Sequence, residues 1–394
     1  MKRGMSKRIL AAVAAAVMVI GSMSGCGGSA GSKDSIKIGL LFSKTGPTAI
    51  TEEAMYNAAM MAVDEINEAG GVKGKKLEPV YEDYGMDPAV AAEKIKKLIM
   101  QDKVTATVGL YTSASRIAAE PVIQDNDGLL IYPTYYEGEA PSPNLVYTGA
   151  VPNQQGDLFV PYLTENVGKK FFLLGTDTVY MSLINKQCKD LLEKYGGTAV
   201  GEEYVPGGHS DFASVITKIK EAKPDVIYCN LNGDSAVAFY KQYKSYGLDS
   251  ATMPIASFVT DEVTVKALGA QTAAGHYISI NYINTIDTEA NKAFIEKYKG
   301  KYGADKEMTS VGEASYTSVK LLAAALEKTE DYTPAGLKKA MSGMEIDAPQ
   351  GRIKVDPDNF HIYCKARIGK VNADGNIEVV YESPELIKPD PTKQ

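Results

Sequence analysis

The amino-acid sequence predicts an α/β protein of two lobes, each a doubly wound and mostly parallel sheet, with a ligand cleft between them. Three observations carry this. Short apolar runs alternate with segments whose apolar residues recur at helical spacing, the signature of buried parallel strands covered by helices on both faces. The alternation occurs twice, over 36–132 and again over 157–257, in stretches of similar length. The last hundred or so residues are helical and then stranded, too thin for a third domain, so they are expected to complete the two earlier sheets.

In the first series, the strand at 36–42 ends at the turn Thr45-Gly46-Pro47. A helix over 53–67 follows (Met55, Ala58, Ala59, Ala62 and Ile66 on one stripe), and Gly70-Gly71 stops it. Strands at 77–81, 104–110 and 129–132 then alternate with helices at 88–100, opened by Pro88, and 113–124. The second series places helices at 157–166, 181–195, 211–222 and 235–246, with strands at 170–174, 198–204, 225–230 and 253–257. In the tail, helices are expected at 289–302, 312–328 and 334–342. Strands follow at 351–355, 361–370 and 376–381, the last two joined by a tight turn at Asp374-Gly375. Crossovers are expected near 152, 278 and 343. They assign 36–152 plus 279–342 to lobe one and 153–278 plus 343–394 to lobe two.

Before these elements comes an order of residues with its own meaning. Lys2, Arg3, Lys7 and Arg8 precede an apolar run of about a dozen residues, then Met23-Ser24-Gly25-Cys26. Residues 1–25 read as a lipoprotein signal peptide, with Cys26 as the lipidated N-terminus and 26–35 as a flexible linker. The apolar run falls short of the roughly 20 residues that span a bilayer. The expected address is extracytoplasmic, on the membrane of a bacterial cell. Removing residues 1–25, four cations and no acid, takes the net charge from −7 to −11. That argues against nucleic acid and anionic lipid headgroups as partners. Cys188, Cys229 and Cys364 have no metal or redox spacing and read as buried free thiols. His209, His276 and His361 are mutually isolated and read as surface or loop residues.

In open α/β sheets, ligands sit beyond the carboxyl ends of strands. The loops in that position are 111–113, 132–138, 175–180 and 230–235, rich in hydroxyls and rings and poor in cations. They suit a small, uncharged polar ligand, although any single Ser or Thr there also serves as a helix cap. Nucleophile-elbow, zincin and Walker patterns are absent from the sequence. Gly70–Lys75 follows a helix and reads as a turn instead of a phosphate loop. Glu137 and Glu139 are an acid–base pair only if something places them across a bond, and Glu52-Glu53 reads as favouring a helix N-terminus through the dipole.

At these loops the chain resembles the type I solute-binding proteins of ABC transporters, within the branch for urea and short-chain amides. That branch includes a cytoplasmic amide sensor. The stretches that carry the likeness include Ala62-Val63-Asp64-Glu65-Ile66-Asn67 with Gly70-Gly71, which is widespread, and the sharper Tyr132-Pro133-Thr134-Tyr135-Tyr136-Glu137-Gly138 with Pro152-Asn153-Gln154-Gln155. Leu231-Asn232-Gly233-Asp234-Ser235 and Asp347-Ala348-Pro349-Gln350-Gly351 add to it. The resemblance implies the two-lobed type I periplasmic-binding-protein fold and no cofactor or metal. It implies a permease partner and a site of Tyr111, Ser113, Tyr132 and Thr134 on one lobe with Tyr180 on the other. Thr178 stands where relatives often carry an aromatic, and Asp234 belongs to the loop that looks like the urea transporters. Capture and delivery of urea or a short-chain amide is the expected function. A sensor lobe signalling amide or amino-acid availability is the alternative, and an extracellular amidase is disfavoured.

Overall fold

A computed structural model describes residues 35–46, 48–138 and 142–392. The expected signal peptide, Cys26, the expected linker up to residue 34 and Glu139 lie outside them. The first sheet is built from β1 (Ser35–Leu41), β2 (Lys76–Glu82), β3 (Thr107–Gly109), β4 (Leu130–Tyr132) and β5 (Leu145–Tyr147). Its order is β2-β1-β3-β4-β5, and every pairing is parallel. Helices α1 (Ala49–Glu68), α2 (Pro88–Lys97) and α3 (Ser113–Asp125) connect these strands. Asp87 caps α2 and Pro88 opens it, where the missing N–H costs nothing. The helix ends three residues before the predicted 100 because the chain widens into a π turn over Leu98–Asp102 and stops at left-handed Lys103. After α1 the chain turns through Gly70 and Gly71, both at positive φ, into a Val72–Lys75 bridge. This is the stop and turn read from the sequence.

The second lobe follows the same grammar through α4 (Gly156–Asn166), β6 (Lys170–Thr176), α5 (Val179–Tyr195), β7 (Thr198–Val205), α6 (Ala213–Ala222), β8 (Val226–Asn230), α7 (Gly233–Ser245), β9 (Ile255–Ser257), α8 (Glu262–Leu268), α9 (Ala270–Ala273) and β10 (Tyr277–Ile280). The tail supplies α10 (Glu289–Tyr302), α11 (Ser310–Lys328), α12 (Pro334–Met341), β11 (Glu345–Ala348), β12 (Gly351–Val355), β13 (Ile362–Tyr363), β14 (Arg367–Val371) and β15 (Ile377–Glu382). The second sheet runs β15-β14-β10-β9-β8-β6-β7, parallel from β10 to β7, with β14 and β15 added antiparallel. The turn between β14 and β15 holds Gly375 at φ 83°.

The tail divides more finely than expected. The run 361–370 is two strands: β13 pairs with β12 in a small separate sheet, and β14 joins the second sheet. Ile353, Val355, Ile362 and Cys364 pack in the core around the first sheet, with α11 and α12. Phe294 and Tyr298 of α10 pack in the core of the second. So 345–364 sits with the first sheet and 289–302 with the second, the reverse of the expected division for both segments. α11 is buried nearly all round: Gly312 lies against α1, where a Cβ would come 3.5 Å from the Ala54 carbonyl oxygen, while the Ser318 hydroxyl meets that of Thr148 beyond β5 at 2.7 Å. The histidines also depart from expectation. His276 and His361 are buried, at 2% and 0% exposure, and only His209 is partly open.

Candidate functional site

The loops beyond β1, β3 and β4 converge at one edge of the first sheet. Gly109 makes this possible: at φ 150°, its α-carbon lies so close to β1 that a Cβ would fall 2.1 Å from the Leu41 carbonyl oxygen. Leu110 follows at φ 65°, an uncommon conformation for a branched side chain. The loop is held from three sides. The Thr134 hydroxyl donates to the Leu110 carbonyl at 3.2 Å, the Tyr132 hydroxyl to the Tyr111 carbonyl at 2.9 Å, and the Tyr111 N–H to the Tyr84 hydroxyl at 3.1 Å.

Thr112 caps α3 by accepting from the Ser115 N–H, which leaves Ser113 for another partner. Its hydroxyl donates to Glu137 Oε2 at 2.6 Å, and Arg116 donates to Oε1 of the same carboxylate at 2.9 Å. Arg116 and Glu137 are 2% and 1% exposed, a buried pair, and the guanidinium lies 4.6 Å over the Tyr136 ring. Glu137 is therefore a paired structural anion instead of half of an acid–base pair. Behind it, Tyr136, Tyr147 and His361 stack, with Tyr147 and His361 centroids 4.1 Å apart. His361 Nδ1 donates to the Asn359 carbonyl, which leaves Nε2 to accept from Tyr136 at 2.7 Å.

From the second lobe, Tyr180 in the first turn of α5 meets Tyr135 with ring centroids 6.1 Å apart. The Tyr180 hydroxyl is buried and finds no hydrogen-bond partner among the described residues. Burial holds its pKa well above the ordinary phenol value, and Glu137, Tyr111 and Tyr132 push the same way. Asp261, the N-cap of α8, accepts from the Thr264 N–H at 2.8 Å. Burial raises its pKa, and its charge is felt by both Tyr111 and Tyr135, whose hydroxyls interact with each other. Five of the seven ligand residues expected from the sequence thus come together: Tyr111, Ser113, Tyr132, Thr134 and Tyr180.

The other two do not join them. Thr178 is exposed, and its hydroxyl caps α5 by accepting from the Met181 N–H at 3.3 Å. Asp234 is exposed in the first turn of α7. Both sit in loops of the right kind, where the same residue types serve as helix ends. Sequence reasoning missed Tyr135, Arg116 and Asp261. The signal for Asp261 was available, since Thr260-Asp261-Glu262 follows β9 just as the other loops follow theirs.

Cys188, Cys229 and Cys364 are free and buried, with thiol pKa values raised by burial, so they are inert packing groups. No cluster of three or more His, Cys, Asp or Glu able to hold a metal occurs among the described residues. Two cavities of about 260 and 250 Å³ open beside α8, and neither is lined by any of the seven expected residues. No described helix is long and apolar enough to cross a membrane.

Comparison with known proteins agrees with this architecture. A family model described as periplasmic binding protein domain matches residues 36–394. A leucine-, isoleucine-, valine-, threonine- and alanine-binding protein of Pseudomonas aeruginosa is 28% identical, over 90% of this chain and 93% of its own length. A solute-binding protein of an ABC transporter from Rhodopseudomonas palustris, solved with 3,4-dihydroxybenzoic acid, superimposes with a TM-score of 0.83 at 25% identity. That alignment covers 91% of this chain and 99% of the other. A branched-chain amino-acid transporter binding protein from Streptococcus pneumoniae, solved with isoleucine, gives 0.78 at 27% identity, covering 90% and 100%.

Proposed function

We propose a ligand for this chain from its family: it belongs to the periplasmic binding protein domain family, and is the extracytoplasmic solute-binding component of an ABC transporter. The ligand we propose is a small neutral amide, urea or a short-chain carboxamide, held between Tyr111, Ser113, Tyr132 and Thr134 on one lobe and Tyr180 on the other.

One observation carries this reading. The hydroxyl hydrogens of Ser113, Tyr132 and Thr134 are all spent on protein acceptors, at 2.6, 2.9 and 3.2 Å. What these groups still offer is lone pairs, and lone pairs suit N–H donors. Tyr180 keeps its hydrogen for a carbonyl. Urea presents one carbonyl and four N–H groups, which matches that inventory. A ligand carboxylate would need donors here, and the nearby guanidinium of Arg116 is already engaged by Glu137. Ligand contact with both lobes favours the closed arrangement by its differential affinity for that state.

A second reading rests on Asp261. Its carboxylate lies at the lobe junction, where it suits the ammonium of an amino acid such as those bound by the Pseudomonas and Streptococcus relatives. A thermal-shift and calorimetric screen of urea, acetamide, leucine, isoleucine and 4-hydroxybenzoate separates the two. Tighter binding of urea or acetamide supports the amide site, and tighter binding of leucine or isoleucine supports the amino-acid site. Membrane anchoring through acylated Cys26 completes the proposal, with two acyl chains giving stable attachment.

A further inference from the structure

Glu52 and Tyr84 stand outside the hydroxyl cluster, yet both are buried, at 0% and 1% exposure. A carboxylate that merely complements a helix dipole has no need to leave water. Glu52, in the first turn of α1, turns inward. Its Oε2 accepts from the Ser43 N–H at 2.7 Å, and its Oε1 accepts from the Thr48 hydroxyl at 2.5 Å and the Tyr84 hydroxyl at 3.0 Å. The Tyr84 hydroxyl in turn accepts the Tyr111 N–H. The loops after β1, β2 and β3 are thereby tied through one carboxylate and one phenol.

We propose that Glu52 and Tyr84 are positioning residues for the ligand site: Glu52 orients the Tyr84 hydroxyl, and that hydroxyl fixes the Tyr111 backbone. The need is local. Gly109 and Leu110 both have positive φ, so the segment that presents Tyr111 is an unfavourable turn that outside contacts must hold in place. Thr134 and Tyr132 bond its carbonyls, and both stand in the proposed ligand site themselves. Tyr84 accepts from its N–H and stands outside that site. Burial also pushes the Glu52 carboxyl up to about 7, against the pull of its hydrogen bonds, as a carboxylate kept for its geometry would show. The inference rests on the reading that Tyr111 lines the ligand cleft.

The test measures amide hydrogen exchange in ligand-free, isotope-labelled protein together with calorimetry using urea and acetamide. In Tyr84→Phe, exchange at the Tyr111 amide should accelerate about tenfold while Val108 in β3 is unchanged, and the dissociation constant for the better of the two ligands should rise about tenfold. Glu52→Gln keeps the volume but has one acceptor oxygen in place of two: with it turned to the Ser43 N–H, an NH₂ faces the Thr48 and Tyr84 hydroxyls that the carboxylate accepted from, and the variant should move both readouts the same way. A general loss of packing would accelerate Val108 as well. Unchanged Tyr111 exchange in both variants overturns the proposal, as does faster exchange with unchanged affinity. If wild-type protein binds neither urea nor acetamide, the amide reading fails by itself. The relay is then judged on Tyr111 exchange and on whichever amino acid in the screen binds.

Discussion

Single side chains set the polarity of the cleft. Ser113 ties the start of α3 to the Arg116–Glu137 pair, so Ser113→Ala removes a donor from a buried carboxylate as well as a lone pair from the proposed ligand site. Thr134→Val does the same at the Leu110 carbonyl. Each should weaken amide binding by roughly 1–3 kcal/mol in calorimetry, and unchanged affinity in both would remove these hydroxyls from the site. His361 gives a second test at this scale. Burial lowers its pKa to about 4 from the ordinary 6.5. A depressed folded-state pKa means that its contribution is present above about pH 6.5 and is lost as pH falls through 4. The shift corresponds to about 3 kcal/mol. Glu52 and Glu313 run the other way. Burial raises both to about 7, so their contribution is full below the unfolded carboxylate value near 4.5 and is lost as pH rises through 7. Because the two effects share a window, the measurement is a difference. His361→Gln should be less stable than wild type at pH 7.5, with the gap closing toward pH 4. Parallel denaturation profiles would show that His361 titrates normally.

Among the elements, the alternation of strands and helices was legible because parallel strands are continuous apolar runs and helices repeat every three to four residues. The strands that escaped, β5, β10 and β11, are three or four residues long, too short to show a period. The run 361–370 reads as strand correctly in kind, but periodicity carries no information about which sheet a strand joins. There the chain leaves one sheet at Tyr363 and enters another at Arg367. The five residues that come together were legible where the strand-end rule applies, and it also selected Thr178 and Asp234, because strand-end loops and helix caps use the same small polar residues. Gly149 shows how tightly these loops are set. A Cβ there would lie 2.1 Å from the Thr134 carbonyl carbon and 2.4 Å from the Tyr135 nitrogen, both rigid backbone. Gly149→Ala should therefore cost about 1–3 kcal/mol of stability in denaturant unfolding and weaken ligand binding by displacing Thr134 and Tyr135. A variant that keeps wild-type affinity would detach this loop from the site.

For the whole molecule, two lobes meet through Tyr135 and Tyr180, with the charge of Asp261 felt at Tyr111, so the proposed cleft is complete only when both lobes contribute. The proposed attachment to the membrane through Cys26 is tested separately. Cys26→Ser should release the protein into the soluble fraction or leave it unprocessed, and mass spectrometry of an unacylated mature N-terminus elsewhere would contradict the lipoprotein reading. The proposed ligand class is the central claim, and competition calorimetry on the purified mature protein tests it most directly. Urea or acetamide should bind one to one and should not be displaced by leucine or isoleucine at equal concentration. Displacement of the amide by either amino acid, or binding of the amino acids alone, would contradict the small-amide site.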